Sequence, residues 1–215
     1  MKQYRDHYFL KAKQENYPAR SVYKLKEIDA RFKIFKPGMS VLDLGAAPGS
    51  WSLAASERIG SRGKVVACDI QSTEVVFPPT VSFYQEDVFE RSADFEKVLV
   101  TEGPFHVVVS DMAPQTTGTR FTDQARSLDL CREALAVAER YLIKGGTFVV
   151  KIFMGPDISE FVREMRRRFT RVTSFKPQSS RTESKETFFV ALGFKGAVDT
   201  SETDNPVAAS SVQNS

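Results

Sequence analysis

The sequence has few cysteine and histidine residues, with only two of each among its 215 residues. Cys68 lies in an apolar run and Cys131 in a helical pattern, which favours two buried thiols in a reducing compartment. No spacing of Cys and His is typical of a metal site. These scarcities predict a protein with neither disulfides nor a bound metal.

Long hydrophobic runs are also missing. No segment approaches the roughly 18 consecutive apolar residues that a membrane-spanning helix needs. The first residues, MKQYRDHYFLKAKQ, contain no apolar core of the kind found in signal peptides. We therefore expect a cytoplasmic protein without a membrane segment, and nothing in the sequence indicates more than a monomer.

The net charge of +3 is small, but the charge is unevenly distributed. Residues 1–36 contain ten Lys or Arg and four Asp or Glu, and residues 163–185 contain eight and two. Each basic segment therefore has a net charge of +6, and the remainder of the chain −9. This pattern is typical of a protein whose partner is a polyanion that contacts both segments. Solvated helix faces would account for the two segments equally well.

Apolar runs typical of strands alternate with helical patterns along the chain. Short apolar strands interleaved with helices indicate a mostly parallel sheet covered on both faces, which is an α/β Rossmann-like fold. The last two runs are joined by a polar loop too short for a helix, so we expect them to pair antiparallel. The strand runs span residues 40–45, 64–70, 81–88, 106–112, 147–153, 171–177 and 187–194. Helical patterns lie near residues 19–32, 50–60, 91–101, 123–143 and 157–169.

A Pro-Gly pair and a change in composition divide the chain into three parts. Pro37-Gly38 separates a basic, aromatic segment, 1–36, from the α/β domain, 37–195. Residues 196–215 have no periodicity and are predicted to be a disordered tail. Within the domain, we expect Gly145-Gly146 to end the long helix. Asp157 with Glu160 resembles a capping box at the start of the last helix.

Small and acidic residues stand where the predicted strands end, which is where ligands bind in open α/β sheets. A small-residue turn, Gly45–Trp51, follows the first strand, and Asp69, Asp87 and Asp111 end the next three. Such a turn is often plain architecture, and a single Asp there is often a helix cap. Three acids in succession after that turn instead favour an adenosine ligand without a pyrophosphate.

Lys151 interrupts the apolar run FVVKIF. A buried ammonium group is costly without a compensating partner, and Asp111 at the end of a neighbouring strand is the candidate. The alternative is a lysine that extends from the rim of the sheet into solvent.

The motifs GAAPGSW, ACDI, SDMAP, VVKIF and SSRTESKE occur in the order and spacing of a known family. From about Ser21 to Phe194 the chain resembles the FtsJ/RrmJ (RlmE) family of ribose 2′-O-methyltransferases. The resemblance implies the class I methyltransferase fold, with about seven strands of which the last pair is antiparallel. It also implies S-adenosylmethionine as the cofactor.

By the same resemblance, the family's catalytic Lys-Asp-Lys-Glu tetrad falls on Lys24, Asp111, Lys151 and Glu186. Three departures from the family pattern, at Ser50, at 85–88 and at 115–117, alter loop detail and not the chemistry. The family's cofactor contacts fall on Gly49, Trp51, Asp69, Asp87 and Asp111.

These residue types suit methyl transfer to a ribose. A ribose hydroxyl is a poor nucleophile near neutral pH, so its proton must leave as the methyl group arrives. We expect Lys151 to accept that proton or to orient the hydroxyl, and Asp111 to position Lys151. Lys24 and Glu186 would then hold the ribose and adjust the local charge.

The basic segments contain the candidate RNA contacts. The aromatic residues of the first segment can stack on bases while its basic residues contact phosphates, although packing of these aromatics onto the domain is an equal alternative. Its residues are Tyr4, Tyr8, Phe9, Tyr17, Lys2, Arg5, Lys11, Lys13 and Arg20. We also expect a phosphate-facing surface formed by Arg163, Arg166, Arg167 and Arg168.

The resemblance further implies a target. In the bacterial family the target is a uridine in the A-loop of 23S rRNA, within the large ribosomal subunit. A tRNA or organellar rRNA enzyme of the same family is one alternative. A non-catalytic assembly factor on this scaffold is another, but it does not require a complete tetrad. A small-molecule or protein methyltransferase leaves both basic segments unexplained.

Overall fold

The computed structural model describes residues 2–181 and 184–196, and its centre is one seven-stranded sheet with the order β3-β2-β1-β4-β5-β7-β6. Strands β1 to β5 are parallel, and β7 pairs antiparallel with both β5 and β6. This confirms the predicted α/β class I methyltransferase fold. The strands are β1 Ser40–Leu44, β2 Lys64–Asp69, β3 Val81–Gln85, β4 Phe105–Ser110, β5 Leu142–Phe153, β6 Phe169–Phe175 and β7 Glu186–Phe194.

Six helices in the described part of the chain cover the two faces of the sheet. They are α1 Lys2–Gln14, α2 Val22–Phe32, α3 Ser50–Ile59, α4 Ala93–Glu102, α5 Arg120–Tyr141 and α6 Ile158–Arg168. One hydrophobic core joins α4, α5 and α6 to the sheet, and a second joins α2 and α3 to its opposite face. The alternation of side chains along each strand supplies apolar residues to both cores. None of the helices within 2–181 and 184–196 is long and apolar enough to cross a membrane.

The order of the strands creates a crevice above β1 and β4. The chain proceeds outward from β1 through β2 to β3 and then returns to β4 on the other side of β1. Ligands of open α/β sheets bind where the strand order reverses in this way, at the carboxyl ends of the strands. The fold therefore places the ends of β1 to β4, with the acids predicted after β2, β3 and β4, around one crevice.

The predicted basic segment packs against the domain that it precedes. In α2, Val22, Leu25 and Ile28 are at most 1% exposed and belong to the same core as α3. Helix α1, which was not predicted, buries Ala12 in that core. The side chain of Tyr17 is buried as well, as the packing alternative anticipated. The division into separate segments at residue 37 stays a prediction.

Two local predictions were wrong. Helix α5 ends at Tyr141 and β5 begins at the next residue, so Gly145 lies within the strand, where φ is +85° and the register against β4 shifts. Asp157 precedes α6, but its side chain makes no capping hydrogen bond, and the Glu160 amide donates instead to the Asp157 carbonyl. The predicted disordered tail lies, apart from Gly196, outside the described residues.

Candidate functional site

A cavity of about 330 Å³ opens at the carboxyl ends of β1 to β4, and we call it the cofactor cavity. Gly45 borders it at a φ of +77°, and a Cβ atom there would lie only 2.5 Å from the Met112 side chain. The turn after β1 therefore requires glycine. The lining residues are Gly45, Ala47, Asp69, Ile70, Gln71, Glu86, Asp87, Val88, Phe89, Asp111, Met112, Ala113 and Leu130.

The three predicted strand-end acids all line this cavity. Asp69 is held by the main chain, since its two carboxylate oxygens accept from the amides of Ala47 and Gln71 at 2.9 and 2.8 Å. Asp87 accepts from the Phe89 amide at 2.8 Å. Ile70 and Phe89 also line the cavity and are 60% and 51% exposed. Acids that accept hydrogen bonds beside exposed apolar side chains fit an adenosine with its ribose.

Gly49 and Trp51 lie elsewhere. Gly49 has a φ of +112° and precedes α3, close to the Phe77 ring. The Trp51 side chain is buried, and its indole N–H donates to the carbonyl of Ser21 at 3.0 Å. Its ring therefore joins α3 to the start of α2 rather than facing the cofactor cavity. A cofactor contact by either residue stays a prediction.

Asp43 is a buried acid that the sequence reasoning did not single out. It lies in β1, is fully buried, and accepts from the Ser52 hydroxyl at 2.6 Å, while its second oxygen has no hydrogen-bond partner among the described residues. The pKa of Asp43 is raised to about 7, chiefly by burial and to a smaller extent by the charges of Asp111 and Asp69, although the hydrogen bond from Ser52 acts to lower it. A charged residue within the apolar run SVLDL was the available signal.

Lys151 and Asp111 form the predicted ion pair. The Lys151 Nζ lies 2.8 Å from the Asp111 Oδ1, and it also donates a hydrogen bond to the Asp111 carbonyl. The two side chains are 8% and 15% exposed, so the alternative of a lysine extending into solvent is wrong. Asp111 also lines the cofactor cavity, so this pair stands at its wall.

Lys24 and Glu186 form a second ion pair next to the first. The Lys24 Nζ lies 2.6 Å from the Glu186 Oε1, and the side chains are 14% and 12% exposed. Burial by itself would raise the pKa of Glu186, but the charge and hydrogen bond of Lys24, with a smaller effect of Lys151, hold it below the ordinary value. The Phe188 ring lies beside Lys24, and Phe188 pairs across the sheet with Lys151. The fold thus brings the four predicted tetrad residues together from α2, the end of β4, β5 and β7.

A second cavity, of about 420 Å³, opens beside Lys24, and we call it the α2-side cavity. Among the described residues that line it are three cationic side chains and a single acid, Glu186. Arg20 donates to the Ser179 carbonyl at 2.7 Å, and Glu27 accepts from the amides of Gln178 and Ser179. These bonds hold the β6–β7 loop against α2. The lining residues are Arg20, Ser21, Lys24, Ser179, Arg181, Ser184 and Glu186.

The arginines near the end of α6 lie at the opposite end of β6 and β7 from the tetrad. Helix α6 begins after β5, near the tetrad, and ends at the start of β6, which pairs with Phe194 at the far end of β7. Arg168 pairs there with Glu139. The predicted phosphate-facing surface is therefore separate from the tetrad, since Arg166, Arg167 and Arg168 stand at the opposite end of these strands.

Comparison with known proteins decides the family, because the model of the FtsJ-like methyltransferase family matches residues 17–194. The chain belongs to the FtsJ-like methyltransferase family. Its cofactor is S-adenosylmethionine, as the resemblance implied. The cofactor cavity fits this group, since it offers a glycine turn without room for a side chain, acids at the strand ends and exposed apolar walls.

Relatives extend this assignment over nearly the whole chain. The ribosomal RNA large subunit methyltransferase E of Nitratidesulfovibrio vulgaris is 73% identical over 95% of this chain and 100% of the relative. The enzyme of the same name from Bdellovibrio bacteriovorus is 51% identical over 89% and 97%. A crystal structure described as a ribosomal RNA methyltransferase of Plasmodium falciparum superposes with a TM-score of 0.74 at 26% identity, covering 84% of this chain and 100% of that one. The FtsJ-like family thus accounts for both the sheet and the sequence motifs.

Proposed function

We propose that this methyltransferase transfers a methyl group from S-adenosylmethionine to the ribose 2′-hydroxyl of a uridine in the A-loop of 23S rRNA. One observation carries the proposal. Asp111 lines the cofactor cavity and pairs with Lys151, and the adjacent Lys24–Glu186 pair lines the α2-side cavity. The tetrad therefore stands between a cavity suited to the donor and a basic cavity suited to RNA.

When bound, S-adenosylmethionine supplies a methyl group on a sulfonium centre. Asp111 fixes the Lys151 Nζ through its carboxylate and its carbonyl. That nitrogen accepts the proton of the ribose hydroxyl or orients the hydroxyl through a hydrogen bond. Holding the nucleophile at a fixed angle and distance supplies much of the acceleration in such transfers.

Lys24 and Glu186 supply the other half of the site. Although Glu186 is largely buried, Lys24 holds its pKa below the ordinary value, so Glu186 stays ionised. Each lysine of the tetrad has a carboxylate oxygen within 2.8 Å, which offsets the cost of placing charge in a poorly solvated place. We assign Lys24 and Glu186 to hydrogen bonding with the target ribose.

The choice of RNA draws on charge and on the relatives. Arg20, Lys24 and Arg181 line the α2-side cavity, and a polyanion is the partner that such a cavity favours. The two bacterial relatives named above carry the name ribosomal RNA large subunit methyltransferase E, and their bacterial source supports the predicted cytoplasmic location. The uridine and the A-loop come from the family resemblance. The monomeric state stays a prediction.

The test is to incubate the protein with labelled cofactor and, separately, with large ribosomal subunits, free 23S rRNA and tRNA, and then to map ribose methylation. We expect one methylated uridine in the A-loop, with large subunits or free rRNA as the substrate. Methylation of tRNA alone would establish the rival substrate. Tight RNA binding with no methyl transfer to any of the three would favour the assembly-factor alternative.

A further inference from the structure

A third cavity lies on the other side of Glu186, and we call it the α5-side cavity. Its volume is about 260 Å³. Ser184, two residues before Glu186 in the chain, lines both this cavity and the α2-side cavity. The two cavities therefore adjoin at Ser184. The lining residues are Gly118, Arg120, Asp123, Gln124, Phe153, Ser184 and Lys185.

The two cavities lie on different faces of the sheet. Helix α2 packs on one face and α5 on the other, and each helix borders the cavity named after it. Between them, Phe153 ends β5 and pairs with Glu186, which begins β7. A path from one cavity to the other therefore crosses the edge of the sheet directly over the tetrad.

Among the residues that the structure describes, two exposed cationic side chains and one acid line the α5-side cavity. The cations are Arg120 and Lys185. The acid is Asp123, and its carboxylate accepts from the amide and hydroxyl of Thr117 at 2.7 and 2.9 Å. That acid is thus used to brace the loop before α5 and leaves the two cations facing outward.

Two exposed apolar side chains lie near the same cavity. Phe121 is 67% exposed and lines a neighbouring small pocket together with Gln124 and Phe153, and these two residues line the α5-side cavity as well. Met154 is 45% exposed, and its carbonyl accepts from the Gln124 amide group. Single exposed apolar residues are common on protein surfaces. An exposed phenyl ring near a cavity that carries two cations is instead a combination that suits unpaired nucleotides.

We propose that the RNA strand crosses the edge of the sheet, with the target nucleotide at the tetrad and its two flanks in the α2-side and α5-side cavities. Arg120 and Lys185 contact phosphates on the α5 flank, and Phe121 stacks on an unpaired base there. This inference rests on the proposed function, and it adds a second RNA-binding surface that lies outside α1 and outside the α6 arginines. It also requires the substrate to be single-stranded over the tetrad.

The experiment compares Phe121→Ala and Arg120→Ala with matched variants at remote exposed positions, Val100→Ala on α4 and Arg62→Ala before β2. Methyl transfer to hypomethylated large ribosomal subunits gives KM and kcat. The affinity for a fluorescent single-stranded RNA oligonucleotide carrying the A-loop sequence is measured in parallel across a salt series. Cofactor affinity and thermal melting are measured for every variant, because surface substitutions should leave both unchanged.

We expect Phe121→Ala to weaken oligonucleotide binding about tenfold, and Phe121→Trp to restore it, since stacking needs only an aromatic face. Arg120→Ala should raise KM for subunits several-fold at an unchanged kcat and reduce the salt slope of RNA binding by about one ion. Equal behaviour of these variants and the two remote controls in oligonucleotide binding would overturn the inference. Failure of the wild-type protein to methylate any RNA would instead overturn the proposed function, and the binding comparison would still decide the present inference.

Discussion

The cofactor cavity and the tetrad share Asp111, but they are held together in different ways. The cofactor cavity is formed by the ends of strands that follow one another in the chain, and two of its acids, Asp69 and Asp87, are fixed by backbone amides. The tetrad takes residues from four distant parts of the chain and is fixed by two ion pairs between side chains. A single substitution in the tetrad can therefore break one of its two ion pairs. The backbone hydrogen bonds that hold Asp69 and Asp87 in the cofactor cavity should remain.

The strongest way to separate the two regions is Lys151→Ala. We expect the rate of methyl transfer to fall about 1,000-fold, because this change removes the group that handles the hydroxyl proton. Cofactor affinity should change little, since Lys151 does not line the cofactor cavity. Single-turnover assays and calorimetric titration measure the two quantities. Lys97→Ala, at an exposed lysine, is the control, and a Lys151 variant with near wild-type turnover would refute the assignment.

Asp43→Asn tests the buried acid in β1, one of the strands whose ends form the cofactor cavity. Because folding raises the pKa of Asp43 from about 3.8 to about 7, the wild-type protein should lose stability as the pH rises through this interval. The loss is about 4 kcal/mol at most, reached above pH 7 and absent below pH 4. Denaturant unfolding of the cofactor-free protein from pH 4 to 8 measures it.

The asparagine variant should lack this slope and should be the more stable protein at pH 8. Ser52 can donate to the amide oxygen as it does to the carboxylate, so the substitution keeps that hydrogen bond. Identical pH profiles of variant and wild type would show that Asp43 titrates normally in the fold.

Asp69→Ala should weaken cofactor binding about 30-fold, because it removes hydrogen bonds to a charged acceptor at the cavity wall. The rate at saturating cofactor should stay within a few-fold of the wild-type rate, which is the reverse of the Lys151 result. Equilibrium titration with S-adenosylmethionine measures the affinity. Asp94→Ala, at an acid that is 89% exposed, serves as the control. Unchanged affinity in Asp69→Ala would place the ribose elsewhere.

Glu27→Ala should have the smallest effect on activity, and we expect it to alter RNA binding and not cofactor binding. Its carboxylate accepts from two amides of the β6–β7 loop at 2.6 and 2.9 Å, so its loss should free that loop from α2. We expect KM for RNA to rise about fivefold with unchanged cofactor affinity, and Glu27→Gln to recover part of the loss. Glu102→Ala, which breaks the remote pair with Lys64, is the control. A changed cofactor affinity in the Glu27 variant would contradict this division.

The sequence predicted the sheet and the Lys151–Asp111 pair for the same physical reason. Apolar runs define buried strands, and a charge within such a run needs a partner nearby. The same reasoning applies to Asp43, which stands in an equally apolar run but was not singled out. Motif resemblance added Lys24 and Glu186, whose proximity depends on how α2 and β7 pack and not on any local pattern.

Features that depend on the direction of an element were predicted less well. Counting basic residues in 163–185 could not reveal that α6 ends at the sheet edge away from the tetrad. Helix α1 was not predicted because much of its sequence is polar. Arg120 and Phe121 were not singled out because an exposed residue near a cavity produces no periodic pattern of apolar residues in the sequence. Gly145 was assigned to a helix end, although it lies where β5 adjusts its register against β4.

The position of β7 between β5 and β6 has a consequence for synthesis. The strand that completes the sheet is the last to be made, and it begins with Glu186. Strand β6 is made before β7 and has no neighbour in the sheet until β7 pairs with it. Lys24 likewise meets its partner only after the strand that begins with Glu186 has been made. Because β7 also contributes side chains to both hydrophobic cores, the same strand that completes the tetrad closes the packing on the two faces of the sheet.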